Sequence, residues 1–274
     1  MQTRTNWIAR TLAVTTVCVA GTGALAQDKK STAPPSEVEP AAKLPATAPL
    51  PEGSKVGLPV PAELAKKGSV YHCIPGKDRQ VFFQSDAPFE KIEGQSNAVI
   101  GYTIAGPKEN PAALQAGEWH LPVASMTTGI RKRDEHMRAD NWLGAEKNPN
   151  IIFVLREVQS VQPVGNKTVG ADTLKDSTKA YVGTLVGDLT VHGVTKSIEV
   201  PEATIMFVKG NDDTAKIAPG DLMAIRAKFH VKLSEFGVKN EVVGRKVAEE
   251  LSIDTALYHS TQEPSATAGV AKTK

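Results

Sequence analysis

The sequence predicts an all-β fold: an antiparallel sheet of about eight strands curled into a barrel, with one short helical interruption. Three observations carry that expectation. Between residues 68 and 259 apolar residues recur with a period of two far more often than 3.6; many of these runs have one polar face; and a Gly-containing turn joins two of them. Parallel strands buried on both sides would read as unbroken apolar runs, so a wet face favours antiparallel pairing and closure.

Taken in order, Val81 to Ser85, Val99 to Ala105 and Trp119 to Met126 supply the first, short strand candidates. Thr127 and Thr128 can cap a helix from Gly129 to Arg138, which places Ile130 and Met137 seven residues apart on one face. Ile151, Phe153 and Leu155 share the inner face of the next strand. From Tyr181 to His192, Leu185, Gly187, Leu189 and Val191 face one way and Val186, Asp188, Thr190 and His192 the other. His192-Gly193, followed by Val194-Thr195, reads as a tight hairpin turn in which glycine supplies the unusual backbone angle. The clearest strand runs from Leu222 to Leu233. Its inner set is Met223, Ile225, Ala227, Phe229, Val231 and Leu233, against Ala224, Arg226, Lys228, His230 and Lys232. Leu251, Ile253, Thr255 and Leu257 repeat the pattern between Glu250, Ser252, Asp254 and Ala256.

The flanks differ in character. Residues 1–26 begin with Arg4 and Arg10, contain no acid, run uncharged from Thr11 to Ala26 and close on Ala24-Leu25-Ala26. That is the pattern of a secretory signal peptide cleaved after Ala26, with a stretch too short and too rich in threonine for a spanning helix. Cys18 lacks the Leu and small residue of a lipoprotein signal ahead of it and reads as part of the apolar stretch. From 27 to 67 eight of the 18 prolines gather without an aromatic residue. Such a stretch buries too little apolar area to repay its ordering entropy and is expected to be a disordered linker. The small polar residues 260–274 are expected to be a disordered tail. The barrel domain is therefore placed at 68–259, within the size of one domain.

Composition narrows the function classes. The chain of 274 residues has 41% hydrophobic and 23% charged residues, with 32 Lys+Arg against 30 Asp+Glu and a formal net charge of +2. Both basic residues in excess belong to the leader, so the overall charge balance calls for neither a nucleic acid nor an anionic membrane as partner. After cleavage Cys73 is the remaining cysteine, an intramolecular disulfide is excluded, and stability has to come from packing. The six histidines (His72, His120, His136, His192, His230, His259) form no H-x-x-x-H pair, so no metal site is expected. His192 and His230 fall on the polar phase of their strands. No G-x-S-x-G, P-loop or dinucleotide fingerprint is present, and no cofactor is expected. The charged run Arg131 to Arg138 has two readings. It is a solvated helix face clamped by its own ion pairs, Asp134 with Arg138 among them, or a positively charged gate for a ligand headgroup.

A closed sheet of about eight strands either fills its inside with side chains or holds one small ligand. The inner-phase residues are apolar and partly small (Ala227, Gly187, Thr255), and periodicity alone leaves both outcomes open. Candidates for contact with a ligand are Ile151, Phe153 and Leu155; Leu185, Leu189 and Val191; Met223, Ile225, Ala227, Phe229 and Val231; and Leu251 and Ile253. Each is equally a candidate for simple core.

Several segments in register resemble the YceI-like family of exported bacterial proteins, also called polyisoprenoid-binding proteins. Arg133-Asp134-Glu135-His136-Met137-Arg138, with Trp142 and then Glu146-Lys147-Asn148-Pro149-Asn150-Ile151-Ile152-Phe153, resembles its R-D-x-H-L-R-x-x-x-F…E-K-x-P-x-I-x-F signature. Leu185 to Lys196 is similar to its G-D-L-T-I-H-G-V-T-K hairpin. Leu233 to Gly237 and Val247 to Ile253 resemble its closing R-x-D-F-G and V-x-D-E-V-x-I segments. The resemblance covers about residues 80 to 258. It implies a lipocalin-like antiparallel β-barrel of about eight strands holding a long isoprenoid chain, a short helix near the mouth carrying Arg133, Asp134, His136, Met137, Arg138 and Trp142, a homodimeric assembly, and no catalytic set. The chain departs from the family at Val81 to Glu93, where Ser85-Asp86-Ala87-Pro88-Phe89 replaces the His-Ser pair often seen after the first strand, and the Pro-rich leader is extra.

The function expected is a periplasmic carrier of a polyprenyl or quinone-like lipid, with transient membrane contact for loading and release. The competing class is a filled barrel that acts through its surface or dimer face; a third, a hydrolase or thiol enzyme, rests on Cys73 and scattered acids.

Overall fold

Among the described residues, alternating apolar and polar side chains build ten antiparallel strand segments in one sheet. The computed structural model describes residues 57–76, 79–164 and 178–264. The expected signal peptide, the Pro-rich stretch up to residue 56 and the tail from residue 265 lie outside the described residues. Within the stretch expected to be a linker, Ala62–Ala65 forms a single helical turn, α1.

The strands are β1 (Ser69–Cys73), β2 (Val81–Asp86), β3 (Lys91–Ser96), β4 (Ile100–Ala105), β5 (Ala116–Pro122), β6 (Asn150–Pro163), β7 (Thr178–Val191), β8 (Val194–Val208), β9 (Leu222–Lys232) and β10 (Glu250–Ser260). Ten segments make eight staves. β1 and β2 lie end to end along the same side of β10, through Cys73↔His259 and Thr255↔Val81, and β4 and β3 continue each other alongside them. The ring β1-β4-β5-β6-β7-β8-β9-β10 closes on β1, giving a closed eight-stranded antiparallel barrel.

Both interrupted staves break at the same level, and Gln80 fills the breach. Its amide accepts from Val99 N–H at 2.8 Å and donates to Ile74 O at 3.0 Å, while its own carbonyl accepts from Ala256 N–H. Three strands carry register shifts. β6 slips against β7 between Leu155 and Glu157 and between Gln159 and Gln162, and β7 slips against β8 between Gly183 and Leu185, where Pro201 and Glu202 together oppose Thr184. Each bulge bends its strand and reverses the phase of the side chains beyond it. On β8, Ile198 and Val200 face inward before the bulge, and Ala203, Ile205 and Phe207 after it.

The helix α2 spans Arg131–Arg138, starting two residues later than expected. Thr127 and Thr128 do fix its start, by a different route. The buried Asp134 carboxylate accepts from Thr127 Oγ1 at 2.6 Å and from Thr128 N–H and Oγ1 at 2.7 Å each. Asp134 therefore does not pair with Arg138. Arg138 donates to Met126 O at 3.0 Å, because both side chains point back toward the segment before the helix. The expected strand Trp119 to Met126 ends at Pro122, where Val123–Ser125 turns as a 3-10 helix.

At the far end, on β1, β4 and the outer parts of β6 to β10, the interior is solid. Tyr71, Ile104, Ile205, Phe207, Met223 and His259 are all under 2% or at 2% exposed there. An ion network covers this end: Lys209 reaches Glu109 at 2.6 Å and Asp221 at 2.8 Å, and Lys179 reaches Glu109 at 3.0 Å. Burial alone would raise the Glu109 pKa, but Lys209 and Lys179 hold it below the ordinary carboxylate value; Asp221 is lowered by the Gly210 N–H and by Lys209.

Candidate functional site

The other half of the barrel is hollow. A cavity of about 740 Å³ opens at the end where α2 and the loop 237–249 sit, within the range of about 300–1,000 Å³ of small-molecule sites. Its depth is legible strand by strand. β6 lines it with Ile151 and Phe153 but not Leu155, β9 with Ile225 onward but not Met223, and β10 with Leu251 through Leu257 but not His259. The barrel is thus neither wholly filled nor wholly open: filled on one side of a floor, empty on the other.

Trp119 lies at that floor. Its ring stacks on Phe153 with centroids 6.0 Å apart, and its indole N–H donates to His259 Nε2 at 2.8 Å. Desolvation by burial holds the His259 pKa down to about 3, so the ring is neutral and accepts without a charge beneath an apolar chamber. The cavity's own hydroxyls are occupied by the wall: Ser85 Oγ accepts from Ala248 N–H at 2.7 Å and Thr255 Oγ1 donates to Ala227 O at 3.3 Å. A guest therefore meets hydrocarbon in depth.

The rim is different. Glu90, Lys132, Arg133, His136 and Lys246 border the opening, with Asn141 and Asn240. Arg133 reaches Glu90 at 2.8 Å and ties α2 to the β2–β3 turn, whereas Lys132 and Lys246 make no ion pair among the described residues. This polarity, apolar inside and cationic outside, suits an amphiphile entering tail first.

Of the residues expected from sequence to meet a ligand, Ile151, Phe153, Leu185, Leu189, Val191, Ile225, Ala227, Phe229, Val231, Leu251 and Ile253 line the cavity. Leu155 and Met223 do not. They point inward but below the floor, where neighbouring side chains close over them to 5% and 0% exposure. On the helix, Arg133, His136 and Met137 line the opening, as does Trp142 beyond it, while Asp134 and Arg138 serve the segment before α2. Gly187 provides no space either: a Cβ there would lie 2.6 Å from the Phe153 ring, which occupies the gap.

Sequence reading missed Ile198 and Val200 of β8, Ile92 of β3, and Val242 and Val247 of the loop 237–249, all of which line the cavity. The alternation Ile92, Gly94, Ser96 was available in β3; Pro201 and the bulge disguised β8; the loop carries no periodic signal. Cys73 is fully buried, and burial pushes its thiol up to about 12, which leaves no thiolate for nucleophilic attack. Among the described residues no three His, Cys, Asp or Glu side chains converge as metal ligands, and no helix is long and apolar enough to cross a membrane.

The chain matches the family model described as the YceI-like domain over residues 71–258. It is 28% identical over 122 residues to a UPF0312 protein of Serratia proteamaculans (44% of this chain, 51% of that protein). It is 31% identical over 119 residues to a UPF0312 protein of Pseudomonas putida (43% and 50%). The match thus spans about half the length of these curated relatives. Among solved structures, Burkholderia cenocepacia BcnA aligns with a TM-score of 0.45 at 17% identity, covering 71% of this chain and 97% of that one. A polyisoprenoid binding domain from Saccharophagus degradans aligns with a TM-score of 0.47 at 10% identity, covering 72% and 100%. With well over half of its length under one family model, over the same residues that close the barrel and line its chamber, the chain belongs to the YceI-like family.

Proposed function

We propose that the protein is a periplasmic carrier that holds a long isoprenoid-type lipid, polyprenyl or quinone-like, in the hollow half of the barrel. The observation that carries this reading is the apolar, one-ended cavity of about 740 Å³ with charged groups confined to its rim. Each CH₂ moved from water into such a chamber gains about 0.8 kcal/mol. A bilayer offers nearly the same gain, so net affinity is modest and exchange with a membrane is favoured over exchange with water. Exposing even ten carbons to water costs about 8 kcal/mol, which would slow release about 10⁶-fold. Loading and release accordingly belong to transient contact with a membrane. No catalytic group is needed. The export leader read at residues 1–26 supports the periplasmic part, and the homodimer that the family resemblance implies belongs to the same proposal.

Ala227 tests the reading. It lines the cavity on β9 between Ile225 and Phe229 at 6% exposure. Ala227→Trp would place an indole in the chamber without touching the sheet's hydrogen bonds. Native mass spectrometry after exposure to undecaprenol is expected to show a lipid adduct on the parent and none on the variant, with the same circular dichroism. A variant that takes up the lipid as well as the parent would refute the carrier reading.

A further inference from the structure

The cavity's rim carries a feature the carrier reading does not require. Among the described residues four large apolar side chains stand exposed: Phe89 at 76%, Ile130 at 50%, Ile217 at 44% and Val154 at 39%. The two most exposed are both at the mouth. Ile130 lines the opening just before α2. Phe89 is at the tip of the β2–β3 hairpin, one residue from Glu90, whose carboxylate holds Arg133.

Phe89 is presented rather than loose. Ala87 and Glu90 exchange N–H···O bonds across the two-residue tip, at 3.1 and 3.3 Å, and Phe89 N–H donates to Arg245 O at 3.2 Å. The backbone of the tip is thus pinned to the loop 237–249 while the ring points into solvent. Arg245 adjoins it through the backbone, and Lys132 and Lys246 border the same opening. Arg131 and Arg133 are satisfied by Glu135 and Glu90, but Lys132, Arg245 and Lys246 have no acidic partner among the described residues. Apolar side chains interleaved with unpaired cations are the composition of a surface that lies on an anionic bilayer.

We infer that Phe89 and Ile130, with Lys132, Arg245 and Lys246, form a docking surface that sets the mouth of the barrel on an anionic lipid membrane. The inference rests on the carrier reading for its purpose: a mouth seated among the headgroups lets the prenyl chain pass without crossing water. Phe89 and Ile130 enter the interface, and the cations meet the lipid phosphates. An anionic bilayer fits better than a protein partner because the apolar pair borders the opening itself and charge complementarity points to phosphate.

The test uses the full mature chain and flotation with two vesicle types, phosphatidylglycerol mixed with phosphatidylethanolamine, and phosphatidylcholine alone. The parent is expected to partition onto the anionic vesicles and only weakly onto the neutral ones. Phe89→Ser is expected to reduce that partition about tenfold, and Arg245→Gln about fivefold on anionic vesicles alone. Neither side chain lines the cavity, so undecaprenol uptake at equilibrium is expected to stay unchanged while its transfer to acceptor vesicles slows in step. A parent that ignores anionic vesicles, or variants that bind them as the parent does, would overturn the docking surface. Vesicle binding with no undecaprenol uptake in any form would instead overturn the carrier reading and leave the docking surface standing.

Discussion

His259 accepts from Trp119 at the cavity floor and is fully buried, with its pKa brought down to about 3 by desolvation and further by nearby His72, against an opposing pull from the Met223 carbonyl. The unfolded chain protonates this ring near pH 6.5. Between the two values the unfolded state binds more protons than the folded one, so stability rises with pH. The contribution of His259 is fully present above pH 6.5 and is lost as pH falls toward 3, with a slope of up to about 1.4 kcal/mol per pH unit. Urea denaturation of His259→Gln, which keeps an acceptor for Trp119, is expected to show a shallower loss of stability between pH 6.5 and 4.5 than the parent. Equal slopes would mean that the ring does not titrate this way. Glu109 and Asp221, both lowered, add their own loss only below the ordinary carboxylate range.

At the scale of elements, bulges reset which side chains of the long strands face inward. β6, β7 and β8 are 14, 14 and 15 residues long; the inner faces of β6 and β8 switch phase at the bulges near Glu157 and Glu202, while β7 keeps its odd-numbered residues inward from Tyr181 to Val191. Gly187 lies between the hollow and solid regions, with the tip of the Phe153 ring against it. A Cβ at this position would come within 2.4 Å of Val154 O as well as 2.6 Å of that ring. Gly187→Ala is therefore expected to destabilise the fold by about 1–3 kcal/mol, through displaced backbone rather than a lost contact. The urea midpoint reads it. An unchanged midpoint would show that β6 moves aside freely. The β7–β8 hairpin is the opposite case, written out in advance: His192 and Gly193 both adopt positive φ, at 52° and 73°, in the two-residue loop between the Val191↔Val194 pair.

For the whole molecule, an apolar chamber is a standing cost. Its lining lacks the contacts that a filled core would make, and a guest restores them. Ligand present at about 100 times its dissociation constant stabilises by about 2.7 kcal/mol. For a domain of this size that corresponds to about 5–10 °C in melting temperature. Removing lipid by organic extraction is expected to lower the Tm by this amount, and undecaprenol to restore it. Ala227→Trp, with its chamber obstructed by the indole, is expected to melt at the same temperature with or without lipid. A restored shift in that variant would place the lipid somewhere other than the barrel interior.

The barrel and most of its lining were written in local patterns. Alternation fixed the faces of β7, β9 and β10 because a strand's side chains turn over every residue, and a hairpin glycine named its own turn. Where alternation broke, legibility ended: Pro201 and its bulge hid β8, and the breach near Gln80 divided two staves into four segments. Sequence alone also could not divide the inner face into core and chamber. Leu155 and Phe153 are the same kind of residue on the same face, yet one is covered and the other lines a cavity. That difference depends on which side chains arrive from strands far away in the chain, Trp119 and His259 among them, and so only the closed tertiary structure decides it.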